Sequence, residues 1–378
     1  MTVSLIRCET YDLQLVKQAI LQALSPLGGM EAFVNPGEKV LLKANLLMKK
    51  NPEEATTTHP IFVQAVAEIL MDMGAIVMIG DSPGGPFTES FLRGIYRSTG
   101  MEQVRQITGC SLNKNTNSFT VEGKKSKLLN KIVLTDMLND VDKVINLPKM
   151  KTHAFATYTG AVKNLFGLVP GTIKAEYHVR MPDMNDFAEA LIDICEEVKP
   201  CLHIMDGIVA MEGPGPSSGE PKEMHLIMVS SDPYEMDAVA CAVMNLDIQQ
   251  VPTLRKAAER GLGPESLDQL MIVGEPYTAF KKENYHHAPS TSGRFRKIPK
   301  PLLKLLVNTL KSRPIIHDDK CIQCGDCARS CPPKVIDMIE KKPVINYKKC
   351  ISCFCCQELC PVKAITIKKS WLAKLIFR

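Results

Sequence analysis

No stretch of this chain carries enough uninterrupted apolar sequence to cross a bilayer; runs such as AIVMIG at 75–80 are far too short. The opening residues, MTVSLIRCETYDLQLVKQ, lack the basic segment followed by an apolar segment that marks a secretory leader. Strong charge of either sign is missing: 46 Lys and Arg stand against 41 Asp and Glu, a formal net charge of +5. That mild excess comes without any RNA- or DNA-binding signature, so no nucleic-acid partner is expected. Flavin and nicotinamide motifs are absent too. DSPGGP at 81–86 is not G-x-G-x-x-G, which removes a dinucleotide fingerprint. Together these absences predict a soluble, cytoplasmic protein, and a hydrophobic content of 45% over 378 residues is enough for a large core.

Cysteine is plentiful, with 14 residues. In a reducing compartment that argues for metal rather than a disulfide scaffold. Nine lie between Cys321 and Cys360. CIQCGDCARSCP has the spacing C-x2-C-x2-C-x3-C-P through Cys321, Cys324, Cys327, Cys331 and Pro332. CISCFCCQELCP repeats it through Cys350, Cys353, Cys356, Cys360 and Pro361, which leaves Cys355 spare. Zinc sites use CxxC pairs set further apart. Three thiolates at this spacing can wrap one iron cube while the fourth, before Pro, reaches the other. The reading is two [4Fe–4S] clusters, one on Cys321, Cys324, Cys327 and Cys360, the other on Cys350, Cys353, Cys356 and Cys331. Residues 315–368 resemble the bacterial two-cluster ferredoxins, with short strands expected around a turn at Lys341–Lys342–Pro343. Cys355 reads as a small buried residue beside a cube, or else as a redox-sensitive thiol.

Residues 1–290 read as α/β. Apolar runs (KVLLKANLL, IVMIG, KIVL, DKVINLP, LHIMDGIV, HLIMVSSD, LMIVGE) alternate with amphipathic helical segments. This predicts a mostly parallel sheet with helices on both faces, joined to a small α+β ferredoxin-like domain. Ligands of such sheets gather at the carboxyl ends of strands. Lys43 and Asn45 alternate onto one face there; Asp81 ends a strand before two glycines, either as a ligand-binding group or as an ordinary turn cap; Thr58 and His59 precede a helix. The strongest constellation runs from Lys149 to His178. It holds Lys149, Lys151, His153, Lys163, Asn164, Lys174 and His178, with no acid before Glu176 and with glycines interleaved. Glycines there would let an anion approach backbone N–H groups among cations. The plain alternative is a basic helix on a solvated face. Lys43, Asn45, Asp81, Lys151, Lys163 and Asn164 are the candidate ligand-binding residues. His153 and His178 are the candidate proton carriers, since imidazole titrates near neutrality. The Gly/Pro-rich segment 210–221 is expected to be a lid or site wall.

The motifs LLKANLL, THP, GDSPGG, INLPKMKTH, GAVKNLFGLVPG, MDGIVAMEGPGPSSGEP and SSDPYEMDAVA resemble the domain of unknown function 362 family over about residues 3–275. Members of that family often carry a C-terminal ferredoxin module. The resemblance implies an iron–sulfur protein without naming its reaction, and a sheet distantly similar to the amino-terminal region of lactate racemase. Two basic amphipathic segments complete the layout: a linker at 291–314 and a tail at 369–378. They either pack on the protein or contact a membrane surface or an acidic partner. Three functions follow. The first is an iron–sulfur oxidoreductase or redox accessory protein, passing electrons between a redox partner protein and an anionic small molecule at the cationic site. The second is a ferredoxin-like electron carrier with a non-catalytic docking domain. The third is a non-redox binding or transfer protein with structural or sensory clusters.

Overall fold

The computed structural model describes residues 2–171, 173–288 and 312–368. Its largest element is a sheet of ten strands. β2 (Lys39–Ala44) lies at its heart, paired in parallel with β3 (Ile76–Gly80) on one side and β7 (Lys143–Leu147) on the other. β4 (Ser111–Leu112) follows β3. Beyond β7 the order continues through β10 (Leu202–Glu212), β11 (Glu220–Ser230), β1 (Thr2–Arg7) and β12 (Met271–Gly274). β8 (Lys149–His153) pairs in parallel with β10, and β9 (Thr157–Thr159) turns back antiparallel on β8.

Continuous apolar runs make these strands because both faces are covered. Val40, Leu42 and Ile204 pack under α1 (Leu13–Leu24) and α2 (Pro60–Asp72). Leu41 and Val144 point the other way, toward α7 (Met184–Val198), and Met205 packs with α8 (Pro233–Val243). Local chemistry sets the helix starts. Asp12 accepts from Gln14 N and Leu15 N, His59 Nδ1 from Ile61 N ahead of Pro60, and Asp232 from Tyr234 N and Glu235 N. Gly28 ends the α1 region in the left-handed conformation.

The sheet departs from expectation in several places. β1 and β10 both run antiparallel to β11, so β10 and β11 form one long hairpin. Of the segment expected as a lid or site wall over 210–221, the two ends are strand and 213–219 is the turn that joins them. KIVL does not join the main sheet; as β6 (Lys131–Thr135) it pairs with β5 (Ser118–Glu122) in a separate ribbon. KMKTH, read as a basic segment beginning at a strand end, is itself the fully buried strand β8.

The C-terminal unit begins at β13 (Arg313–Ile316), which pairs with β16 (Ile365–Lys368); β14 (Ile336–Ile339) pairs with β15 (Lys342–Ile345). The turn between β14 and β15 falls at Glu340–Lys341, both with positive φ, so Lys342 and Pro343 belong to the strand rather than the turn. The rest of the linker and all of the 369–378 tail lie outside the described residues. The two cysteine motifs fold alike. Left-handed residues recur at Gln323, Gly325 and Lys334, and again at Ser352, Phe354 and Lys363. Each motif also carries one helical turn, Asp326–Arg329 and Cys355–Glu358. The fourth cysteine of each accepts a backbone N–H four residues on, from Val335 at 3.4 Å and from Ala364 at 3.2 Å.

Candidate functional site

β8 presents Lys149, Lys151 and His153 on one face, because alternate strand residues share a side. All three are buried. Lys149 donates to Asp206 at 2.8 Å and to the Tyr11 hydroxyl at 2.8 Å. Tyr11 in turn donates to the other Asp206 oxygen and stacks on the His59 ring at 3.6 Å. Lys151 donates to Asn45 Oδ1 at 2.9 Å and to the Thr56 carbonyl at 2.7 Å. On β2 the Lys43 ammonium lies 3.0 Å from Asp81, and it also donates to Ala44 O and Asn164 Oδ1. Asn164 is shared with Asn45 and Asn146, so one amide chain ties β2 and β7 to the short helix α5 (Ala161–Asn164). Burial pulls the Lys43, Lys149 and Lys151 ammonium groups below their ordinary range, Lys151 furthest; the carboxylates of Asp81 and Asp206 oppose the shift for the first two.

Above this layer is a cavity of about 530 Å³, within the range that holds small organic ligands. Its floor includes Lys43, Asn45, Asp81, Lys151, Lys163 and Asn164, the whole set of sequence-derived candidates. Its far wall belongs to the C-terminal unit: Asp326, Arg329, Cys331, Cys355, Glu358 and Leu359. Composition and spacing gave no reason to place that wall here. Several contacts fix it: Ser217 Oγ to Glu358 O at 2.5 Å, Gln357 Nε2 to Pro214 O at 2.8 Å, and Lys363 Nζ to Gly219 O at 3.2 Å. Phe354 packs against Ala154 and Ala288 in a small apolar cluster of its own. The 213–219 turn therefore holds the C-terminal unit in place.

The interleaved glycines make room for buried neighbours. A Cβ at Gly167 would stand 2.1 Å from Asp81 Oδ1 and 2.6 Å from Lys43 Nζ. One at Gly160 would stand 2.1 Å from Asp237 Oδ1, and one at Gly171 2.4 Å from Gly85 O. These positions are small so that buried groups can meet. Asp237 takes the N–H groups of Ala161 and Val162 at the start of α5, and burial pushes its pKa up to about 7.

The histidines also depart from expectation. His153 Nδ1 accepts from Phe155 N and Ala156 N, which leaves the proton on Nε2, 3.3 Å from Glu358 Oε1. Its ring sits behind Glu358 rather than on the cavity surface. His178, on α6 (Lys174–Arg180), does line the cavity, stacks on Phe187 at 4.7 Å and has no partner for Nδ1. Burial and the Lys163 charge push His153 well down and His178 to about 3, so neither imidazole titrates near neutrality.

Two smaller cavities lie in the C-terminal unit. Cys321, Cys324, Cys327 and Cys360 line one; Cys331, Cys350, Cys353 and Cys356 line the other. Among the described residues no three His, Cys, Asp or Glu side chains close on a single metal ion. Each cavity is instead walled by four sulfurs, a donor set that suits a multi-iron centre. Cys355 lines neither; it is buried on the wall of the large cavity. Among the described residues no helix is long and apolar enough to cross a membrane.

Residues 40–242 match the family model described as a domain of unknown function, DUF362, and residues 313–361 match a 4Fe-4S dicluster domain. The thylakoid-associated protein sll1697 of Synechocystis sp. is 36% identical over 276 residues, which cover 73% of this chain and 84% of that protein. Among solved structures, the lactate racemase apoprotein from Thermoanaerobacterium thermosaccharolyticum aligns with a TM-score of 0.40 at 11% identity, over 61% of this chain and 54% of that one. A structural-genomics protein from Thermotoga maritima aligns at 0.37 and 13% identity, over 70% and 61%. Neither structural likeness bears on the chemistry of the cavity.

Proposed function

The chain belongs to the DUF362 family and is an iron–sulfur protein, and from that premise we propose that it is a redox protein with two [4Fe–4S] centres that deliver electrons to a ligand in the large cavity. One centre is assigned to Cys321, Cys324, Cys327 and Cys360, the other to Cys331, Cys350, Cys353 and Cys356. When bound, such centres supply electrons one at a time. One observation carries the reading: Cys331, assigned to the second centre, lines the same cavity as Lys43, Lys151 and Lys163. An anion held by those cations would sit beside the second centre, with Cys355 between.

The chain's own residues then divide the work. Lys151 and Lys163 attract the anion, and Asn45 and Asn164 fix the lysines that flank it. Lys43 and Asp81 act as a fixed dipole in the floor. His153, held by two backbone N–H groups, keeps its Nε2 3.3 Å from Glu358 Oε1 and lines the back of that carboxylate. The first cysteine set is the more open one: Cys324 is exposed, and Ile322 beside it is 60% exposed. That edge is where a redox partner protein would meet the first centre. None of the fourteen cysteines forms a disulfide, which suits a reducing cytoplasm.

The test is a reductive titration of anaerobically purified protein followed by EPR, with iron analysis. About eight irons per chain and two reducible centres are expected. Lys163→Met should then leave both centres reducible while abolishing electron transfer to an added oxidised acceptor of the anionic class. Centres that cannot be reduced at any accessible potential would refute a redox role. Undiminished turnover in Lys163→Met would move the chemistry away from the cavity.

A further inference from the structure

The chemistry of the cavity narrows its ligand, on the reading just given. We propose that it takes an organic carboxylate: one acidic group bridging Lys163 and Lys174 over Phe166, carried on an apolar body that runs along Leu47, Phe91 and Leu359.

Lys163 and Lys174 both stand near the Phe166 ring, at 6.0 and 5.8 Å from its centroid. Lys174 is anchored to the Ser82 carbonyl. Lys163 has no hydrogen-bond acceptor among the described residues, although it lies inside the cavity. Glu358, on the same cavity wall, is the carboxylate whose charge reaches Lys163, but it makes no hydrogen bond to it, and a ligand acid supplies that direct contact. Three neutral polar groups of lining residues are also buried without a partner: Thr159 Oγ1, Ser82 Oγ and His178 Nδ1. They can complete the hydrogen bonding of a carboxylate and its neighbours.

A phosphate is the competing anion, and the walls do not suit it. Phosphate sites use backbone N–H groups at helix starts and bidentate arginine. Here the first N–H groups of α5 are taken by Asp237, Leu46 N by Asp81, and Ser82 N by Gly167 O. Arg329, the guanidinium on the wall, is held by Asp326 and by Cys324 O. Leucine, phenylalanine and proline side chains make up much of the remaining surface, which a hydrophilic dianion would leave unused.

Calorimetric titration of the full anaerobic protein with naphthoate, its neutral amide and inorganic phosphate tests this. Naphthoate should bind, and the amide should bind at least about tenfold more weakly, as expected for losing a charge-assisted contact. Lys163→Met should cost naphthoate about tenfold and leave the amide unchanged. Leu359→Trp, which fills the cavity from the C-terminal wall without touching a cation, should abolish binding. Equal affinity for acid and amide, displacement of naphthoate by equimolar phosphate, or either variant binding like wild type overturns the inference. If Lys163→Met loses its iron–sulfur absorbance, Leu359→Trp and the acid–amide comparison still decide. A chain whose centres reduce normally but which binds no naphthoate refutes the carboxylate and leaves the redox reading standing.

Discussion

Replacing Asp81 with Asn removes the counter-charge of a lysine that has no exposure to solvent at all. Lys43 Nζ lies 3.0 Å from Asp81, and its other acceptors, Ala44 O and Asn164 Oδ1, are neutral. The asparagine oxygen can still accept from Leu46 N, but its amide hydrogens then face the ammonium. Breaking a buried pair by removing one partner costs about 3–5 kcal/mol. Lys43 can limit that cost by shedding its proton. Burial already lowers its pKa, and Asp81 is the largest opposing influence. Keeping a lysine neutral near pH 7.4, when its unfolded pKa is about 10.4, costs about 4 kcal/mol, at about 1.4 kcal/mol per pH unit. The two routes agree in size, and the second has a signature. In the variant the unfolded chain binds a proton that the folded chain does not, so raising the pH stabilises the fold. Urea unfolding of the anaerobic protein, followed by far-UV circular dichroism, should show Asp81→Asn less stable by about 3–4 kcal/mol at neutral pH and recovering by about 1.4 kcal/mol per unit toward pH 10. A loss below about 1 kcal/mol, or a loss that does not change with pH, would refute the buried-pair argument.

Gly167→Ala places a Cβ 2.1 Å from Asp81 Oδ1 and should push the same pair apart, lowering stability by about 1–3 kcal/mol in the same urea assay. A neutral effect would mean that the glycine leaves room for a ligand after all. Cys355→Ala should keep the full iron content, whereas Cys353→Ala should lose about half of it; equal losses would remove the distinction between spare and liganding thiol. Burial, with Lys43 and Lys163 nearby, lowers Lys174 to about 7, so naphthoate affinity measured by calorimetry should decline as pH rises above 7; a flat profile would take Lys174 out of the anion site.

What could be read from the sequence depended on how far apart the interacting residues lie. The cysteine sets follow from spacing alone, and both small cavities are lined by the sets that spacing assigned. Lys43 and Asn45 share a face because strands alternate, and that too was legible. β8 was not. Lys149, Lys151 and His153 repeat with period two, but a strand with three basic positions reads as a loop or solvated helix until its partners are known. Those partners, Asp206, Asn45, Thr56 and Glu358, lie from 57 to 205 residues away, at distances no local pattern reports. β1 was missed for a similar reason: TVSLIR was read only for the absence of a leader, while its Val3 and Leu5 are fully buried beside β11.

The far wall of the cavity did leave a trace in the sequence, in the places where the two cysteine motifs stop repeating each other. Gly325 in the first motif corresponds to Phe354 in the second, Asp326 to Cys355, Arg329 to Glu358, and Ser330 to Leu359. Gly325 and Phe354 both adopt positive φ, a conformation that costs a bulky residue about 1–2 kcal/mol and glycine almost nothing. Phe354 is tolerated there because its ring is buried against Ala154 and Ala288 of the large domain, and burying such a side chain contributes about 1.5–3 kcal/mol. The exchange of Arg329 for Glu358 has the same logic. Arg329 remains exposed and holds its own motif through Asp326, whereas Glu358 turns toward His153 and the charge of Lys163, where a second arginine would add a cation to a site already rich in them. Two copies of one cluster-binding unit therefore met different surroundings. The positions that differ mark the side on which the second copy faces the cavity.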